Sequence, residues 1–129
     1  MNGQSSIKLA GKEWAVTLPD FATREDLALA WHESATKGDG AALRRVAGAA
    51  VGLCTGVGKR AGVSFTGTAM LVYGGAVYSW LREQRETIPG VMEAGGQIVS
   101  MCADSVFPRE AEVDTRAAFS VAPEDGATS

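Results

Sequence analysis

The sequence predicts a mainly α fold: a compact domain of four to five helices with a short N-terminal β-hairpin and a flexible, acidic C-terminal tail. Three patterns predict it. Apolar residues alternate with polar ones across residues 6–18, the period of a strand pair. From about residue 23 to residue 106 they recur at three- and four-residue spacing, with Gly or Pro at the breaks. The end, SVAPEDGATS, is small and polar and reads as disordered. The 129 residues, 46% hydrophobic and 21% charged, suit one domain with its own core, set at residues 1–119, and a tail at 120–129.

In IKLAGKEWAVTL, Ile7 and Leu9, then Trp14, Val16 and Leu18, alternate around Ala10-Gly11-Lys12, with Gly11 supplying the turn and Pro19 ending the hairpin. Two strands are marginal alone, so this pair must pack on a helix or on another chain. A first helix is expected from Thr23, which with Asp26 three residues later forms a start resembling a capping box. Leu27, Ala30, Trp31 and Ser34 then share one face, and Lys37-Gly38 marks the stop.

A second helix is expected over about Ala41–Val57. Leu43, Val46, Ala47, Ala50, Val51 and Cys54 fall on one face, while Gly48, Gly52 and Gly56 repeat every four residues beside it. Each such glycine costs about 1 kcal/mol of helix propensity relative to Ala. They point to a groove for a second helix, from this chain or another copy. Gly56 or Gly58 would cap the helix, with Lys59-Arg60 complementing its dipole.

A looser stretch leads to a third helix through Met70, Val77, Tyr78, Trp80 and Leu81, ending near Arg85, with Gly74-Gly75 as an interruption or kink. Thr87-Ile88-Pro89-Gly90 opens a fourth: Thr87 can cap and Pro89 is tolerated in the first turn. Val91, Ile98, Met101, Cys102 and Val106 run along it to Pro108. Residues 108–119 read as a short acidic helix.

The formal net charge is −3, which calls for neither nucleic acid nor an anionic membrane. The charge is unevenly spread. Residues 37–60 carry Lys37, Arg44, Arg45, Lys59 and Arg60 against one acid, Asp39, while residues 104–129 carry Asp104, Glu110, Glu112, Asp114, Glu124 and Asp125 against two bases, Arg109 and Arg116. That polarity suggests self-association or a charged protein partner, or equally two differently solvated faces. Residues 61–81 are uncharged and long enough to span a bilayer, but their hydroxyls and glycines argue against a span. The polar start does not read as a signal peptide, and Cys54 and Cys102 in apolar surroundings read as reduced thiols in a cytoplasm.

The segment VGLCTGVGKRAG invites a phosphate-loop reading. A Walker A loop needs four residues between its glycine and Gly-Lys, then a hydroxyl. Gly52 stands one residue too far from Gly58-Lys59, and Arg60 takes the hydroxyl position. No cofactor or small-molecule substrate is therefore expected. One His and two separated Cys make no recognisable zinc site. His32 with Cys54 or Cys102 is the remaining catalytic candidate, a thiol–imidazole pair, and a surface His beside core Cys is the plainer reading.

The stretch VYGGAVYSWLREQRETIPGVMEAGGQIVSMCADSVFPREAEV resembles the C-terminal half of phage tail assembly chaperones, with a small-residue turn at Tyr73-Gly74-Gly75-Ala76 and Leu81 near the helix end. The Gly11-Lys12-Glu13 hairpin is similar to the one that opens many of them. The resemblance implies a non-enzymatic protein of the infected host's cytoplasm. It would oligomerise around a tape-measure-like helical protein and help recruit tail-tube protein. On this reading Val77, Trp80 and Leu81 line the partner groove, Gly48, Gly52 and Gly56 give close helix contact, and 108–129 recruits. A neck or head–tail connector subunit retained in the particle is the alternative.

Overall fold

A computed structural model describes residues 5–107; the expected acidic helix at 108–119 and tail at 120–129 lie outside them. The order is β1 (Ser5–Leu9), β2 (Lys12–Val16), α1 (Phe21–Lys37), α2 (Gly40–Cys54), α3 (Val57–Ala61), α4 (Met70–Glu83) and α5 (Ile88–Val106). The mainly helical fold with an N-terminal antiparallel hairpin is thus the observed one. Among the described residues no helix is long and apolar enough to cross a membrane.

The hairpin is tighter than expected. Leu9 pairs with Lys12, so the turn is Ala10-Gly11 alone and Lys12 begins β2. Both turn residues have positive φ (53° and 75°), the combination that matches the twist of the strands. Ile7, Leu9 and Val16 enter the core, and β1 lies against α5. The tip is pinned: the Ala10 amide donates to Glu86 Oε1 at 2.7 Å. The hairpin therefore packs on a helix of its own chain.

The first helix begins two residues before Thr23. Asp20, extended directly after Pro19, is the N-cap, and its carbonyl accepts from the Arg24 amide at 3.0 Å. Arg24 Nη1 on this first turn donates to Ser105 Oγ on α5 at 2.8 Å. Gly38 (φ 69°) closes α1, and Asp39 Oδ1 caps α2 by accepting from the Ala42 amide.

The second helix is central. Every residue from Val46 to Gly52 is buried, the signature of a helix surrounded by others. It ends at Cys54, short of Val57, where Thr55 turns extended (φ −135°). The Cys54 carbonyl accepts from the Thr17 amide at 2.7 Å, and the Thr55 hydroxyl donates to the Val51 carbonyl at 2.6 Å. The same hydroxyl accepts from the Val57 amide and starts α3. Thr55, extended, is thus the C-cap of α2 in place of Gly56 or Gly58, and Lys59-Arg60 is the basic last turn of α3, which Gly62 (φ 75°) caps.

The α4 helix runs through Gly74-Gly75 without a break. A Cβ on Gly74 would overlap the Arg45 carbonyl oxygen, and one on Gly48 the Gly74 carbonyl oxygen. Two backbones meet here, which only glycine allows. Helix propensity is sacrificed for that tertiary contact. Thr87 caps α5 as expected, its hydroxyl accepting from the Gly90 amide at 3.0 Å, with Pro89 in the first turn.

Candidate functional site

The residues assigned from sequence to partner binding divide between interior and surface. Val77 and Leu81 are 0% exposed and belong to the core, so neither lines an external groove. Gly48 and Gly52 are used inside the chain: Gly48 meets α4, and a Cβ on Gly52 would lie 2.6 Å from the Tyr73 hydroxyl oxygen and 2.8 Å from Val77 Cγ2. Gly58 shares that task, since its Cβ would overlap the same hydroxyl. Gly56 is exposed and takes no part in the crossing; it sits in ordinary contact range of Trp14. Trp80 is half-buried in a small nook with Ala10, Lys12, Trp14, Arg60 and Gln84. Trp14 is fixed there by its indole N–H donating to the Leu9 carbonyl at 3.0 Å.

The larger surface feature lies elsewhere. Where α4 leaves the crossing, a cleft of about 540 Å³ opens between the first turns of α2 and the outer face of α4. Arg44 and Arg45 come from α2; Leu71, Val72 and Tyr78 come from α4. Gly75 lies beside the Arg45 stem, with Cγ 3.7 Å from where a Cβ would sit, an ordinary contact distance. Leu71 is 36% and Val72 66% exposed, so the apolar surface is open to water. Among the described residues neither arginine is in an ion pair.

This arrangement presents two guanidinium groups, always charged, beside an apolar strip. Its chemistry is binding: arginine forks match carboxylates bidentately, while the strip takes the apolar face of the same ligand. A signal for Leu71 and Val72 was available in the sequence. Tyr73, Val77 and Leu81 are spaced by four and define the inward stripe of α4. Leu71 and Val72 fall beside that stripe, so they are surplus apolar residues on the helix.

The catalytic candidates are separated by burial. His32 is exposed on α1, whereas Cys54 and Cys102 are buried and reduced. The Cys102 thiol beside it and burial push the Cys54 thiol up. A buried thiol of raised pKa behaves as a hydrophobe. The segment that suggests a phosphate loop forms instead the end of α2, a turn and α3, with Gly52 inside a helix. No grouping of His, Cys, Asp and Glu suited to a metal occurs among the described residues. Comparison with known proteins returns no matching family model, no matching curated protein and no matching solved structure.

Proposed function

We propose that this chain is a non-enzymatic phage tail assembly chaperone that holds helical segments of a tape-measure-like protein in solution and helps to recruit tail-tube protein. The observation that carries the binding role is the α2/α4 cleft: Leu71 and Val72 stand exposed beside Arg44 and Arg45, which have no acidic partner among the described residues. An amphipathic helix with acidic residues flanking its apolar face matches such a surface, the helix-in-groove mode of recognition. The phage assignment rests on the resemblance of residues 70–119 and of the hairpin. The cleft replaces Val77 and Leu81 as the groove, and Trp80 remains a second surface aromatic at the hairpin side.

The test is co-expression with a long tape-measure-like helical protein, reading the soluble fraction of that partner. Wild type raises it, and the double substitution Leu71→Asp with Val72→Asp removes the gain while the chain itself stays folded. Equal soluble fractions with and without this chain would overturn the proposal.

A further inference from the structure

The chain has two cysteines, and the fold brings them to the same place. Arg24 meets Ser105 and Trp31 meets Gly96, so α1 and α5 are antiparallel. The tight turn at Gly38-Asp39 makes α1 and α2 antiparallel too. The α2 and α5 helices therefore run in the same direction. They touch where Gly95 lies over Ala47, a Cβ there falling 2.6 Å from Ala47 Cβ and 2.7 Å from its Cα. Seven residues on, two helical turns, each helix presents the same face again. That position is Cys54 on α2 and Cys102 on α5, both buried in the core at 1% and 0% exposure. A disulfide needs backbones close together, and the absent side chain of Gly95 is what draws these two helices in.

The two thiols differ in their surroundings. Arg24 Nη1 donates to Ser105 Oγ at 2.8 Å, and that hydroxyl donates to the Cys102 carbonyl at 2.9 Å. The guanidinium is thus fixed on the turn that carries Cys102, and its Nε is buried with no hydrogen-bond partner among the described residues. The Cys54 thiol and the Arg24 charge lower the Cys102 thiol from its ordinary value, while Cys54 is held up. Cys102 is the better nucleophile, and Cys54 stands beside it as a neutral thiol. Both lie near helix ends, which open at low cost. Cys54 is the last residue of α2, against a surface cleft of about 300 Å³ with Pro19, Leu53 and Thr55. Cys102 is one turn before the end of α5.

We propose that Cys54 and Cys102 are a peroxide-responsive pair that closes an intrachain disulfide between α2 and α5. The Cys102 thiolate attacks one oxygen of hydrogen peroxide. The O–O bond breaks, Cys102 becomes a sulfenic acid, and the second oxygen leaves as water with the proton from the thiol. The Cys54 sulfur then attacks the sulfenic sulfur. The S–S bond forms, the S–O bond breaks, and water leaves with the Cys54 proton. Two thiols and one peroxide thus give one disulfide and two waters. The bond ties the end of the central helix to α5 and closes the long loop from 54 to 102, which restricts the unfolded chain. Arg44 and Arg45 are in the first turns of α2, at the opposite end from Cys54, so this pair and the chaperone cleft can fail separately.

The full-length chain tests this without any substitution. It is treated with hydrogen peroxide, quenched, denatured and alkylated, and its intact mass is read. The expected product is a single chain that has lost two hydrogen atoms and takes up no alkylating agent, and dithiothreitol restores both thiols. With two cysteines in the sequence, such a disulfide joins 54 to 102. Folded chain that keeps both thiols while a small free thiol in the same solution is oxidised overturns the proposal. So does oxidation that appears only after urea unfolds the chain, or that yields only disulfide-linked dimers. The order of steps is read with dimedone, which captures sulfenic acids. Cys54→Ala is expected to be labelled at Cys102, and Cys102→Ala to stay unlabelled at Cys54. Arg24→Gln added to Cys54→Ala is expected to slow that labelling, and Arg24→Lys to restore it. Equal labelling of both cysteine variants, or equal rates with Gln and Lys at position 24, overturns the roles given to Cys102 and Arg24.

Discussion

Gly74 and Gly75 are neighbours on one helix, yet they do opposite things. Gly74 closes the α2/α4 contact: its backbone touches that of α2 so tightly that a single methyl group would overlap the Arg45 carbonyl oxygen. Gly75, one position and about 100° further round, faces only the movable side chain of Arg45, at distances a Cβ would tolerate. On the closed side Tyr73, Val77 and Leu81 are buried; on the open side Leu71 and Val72 meet water. The comparison teaches that glycine in a helix does not carry one meaning. Its role depends on whether the next atom is a fixed backbone or a movable side chain.

The largest expected effect follows directly. Gly74→Ala should cost about 3 kcal/mol, the upper range for overpacking, because the obstructing atoms are backbone and cannot rotate away. Thermal unfolding followed by circular dichroism should show a fall of more than about 10 °C. Gly48→Ala should behave alike, as its Cβ would overlap the Gly74 carbonyl oxygen. An unchanged midpoint for either would mean that the helices can part cheaply, and the closed side would lose its distinction.

A second expectation concerns the tyrosine that fills the closed side. Burial pushes the Tyr73 phenol above its ordinary value. Because the folded value is raised, the contribution of the protonated phenol is fully present below the unfolded value of about 10 and is lost as pH rises through the folded value. Wild type should therefore lose stability on the alkaline side, and Tyr73→Phe should flatten part of that decline. Denaturant midpoints measured across alkaline pH check it; identical slopes for the two proteins would refute it.

The open side gives the reverse sign. At Gly75 a Cβ meets only Arg45 side-chain atoms, none nearer than 3.7 Å, so Gly75→Ala should gain the helix propensity it lacks, about 1 kcal/mol. A loss of stability there would show that Gly75 is needed for closure after all.

These glycines also mark how far the sequence was legible. The repeat of Gly48 and Gly52 announced a close helix contact, because spacing fixes which face is bare. It could not name the helix that fills the face, and that helix came from the same chain. Gly74-Gly75 read as an interruption because propensity is a local quantity, and the backbone contact that outweighs it is not local. Val77, Trp80 and Leu81 read as a groove because apolar residues at helical spacing look the same in a core and at an interface. The Thr87 cap and the Gly38 stop were plain, since both act within a few residues of themselves. The Asp20 start was obscured by Thr23, another residue of capping type close by. The cleft was the least legible feature, because it joins Arg44-Arg45 to Leu71-Val72 across the α2/α4 packing, and only the fold brings those pairs together.

The finest test uses one substitution twice. Val72 and Val77 lie five residues apart on α4, one 66% exposed and the other 0%. Val77→Ala removes two methyl groups from a filled interior and should cost about 2 kcal/mol, from lost burial and the cavity that remains. Val72→Ala removes the same atoms from water and should change stability by no more than about 0.5 kcal/mol in the isolated chain. Comparing the two by urea unfolding separates packing from display. If Val72→Ala proves as costly as Val77→Ala at concentrations too low for self-association, a part of the same chain already covers the open side, and the cleft is not free to bind. If its cost emerges only as concentration rises, Val72 is being buried between copies, by linkage of assembly to folding.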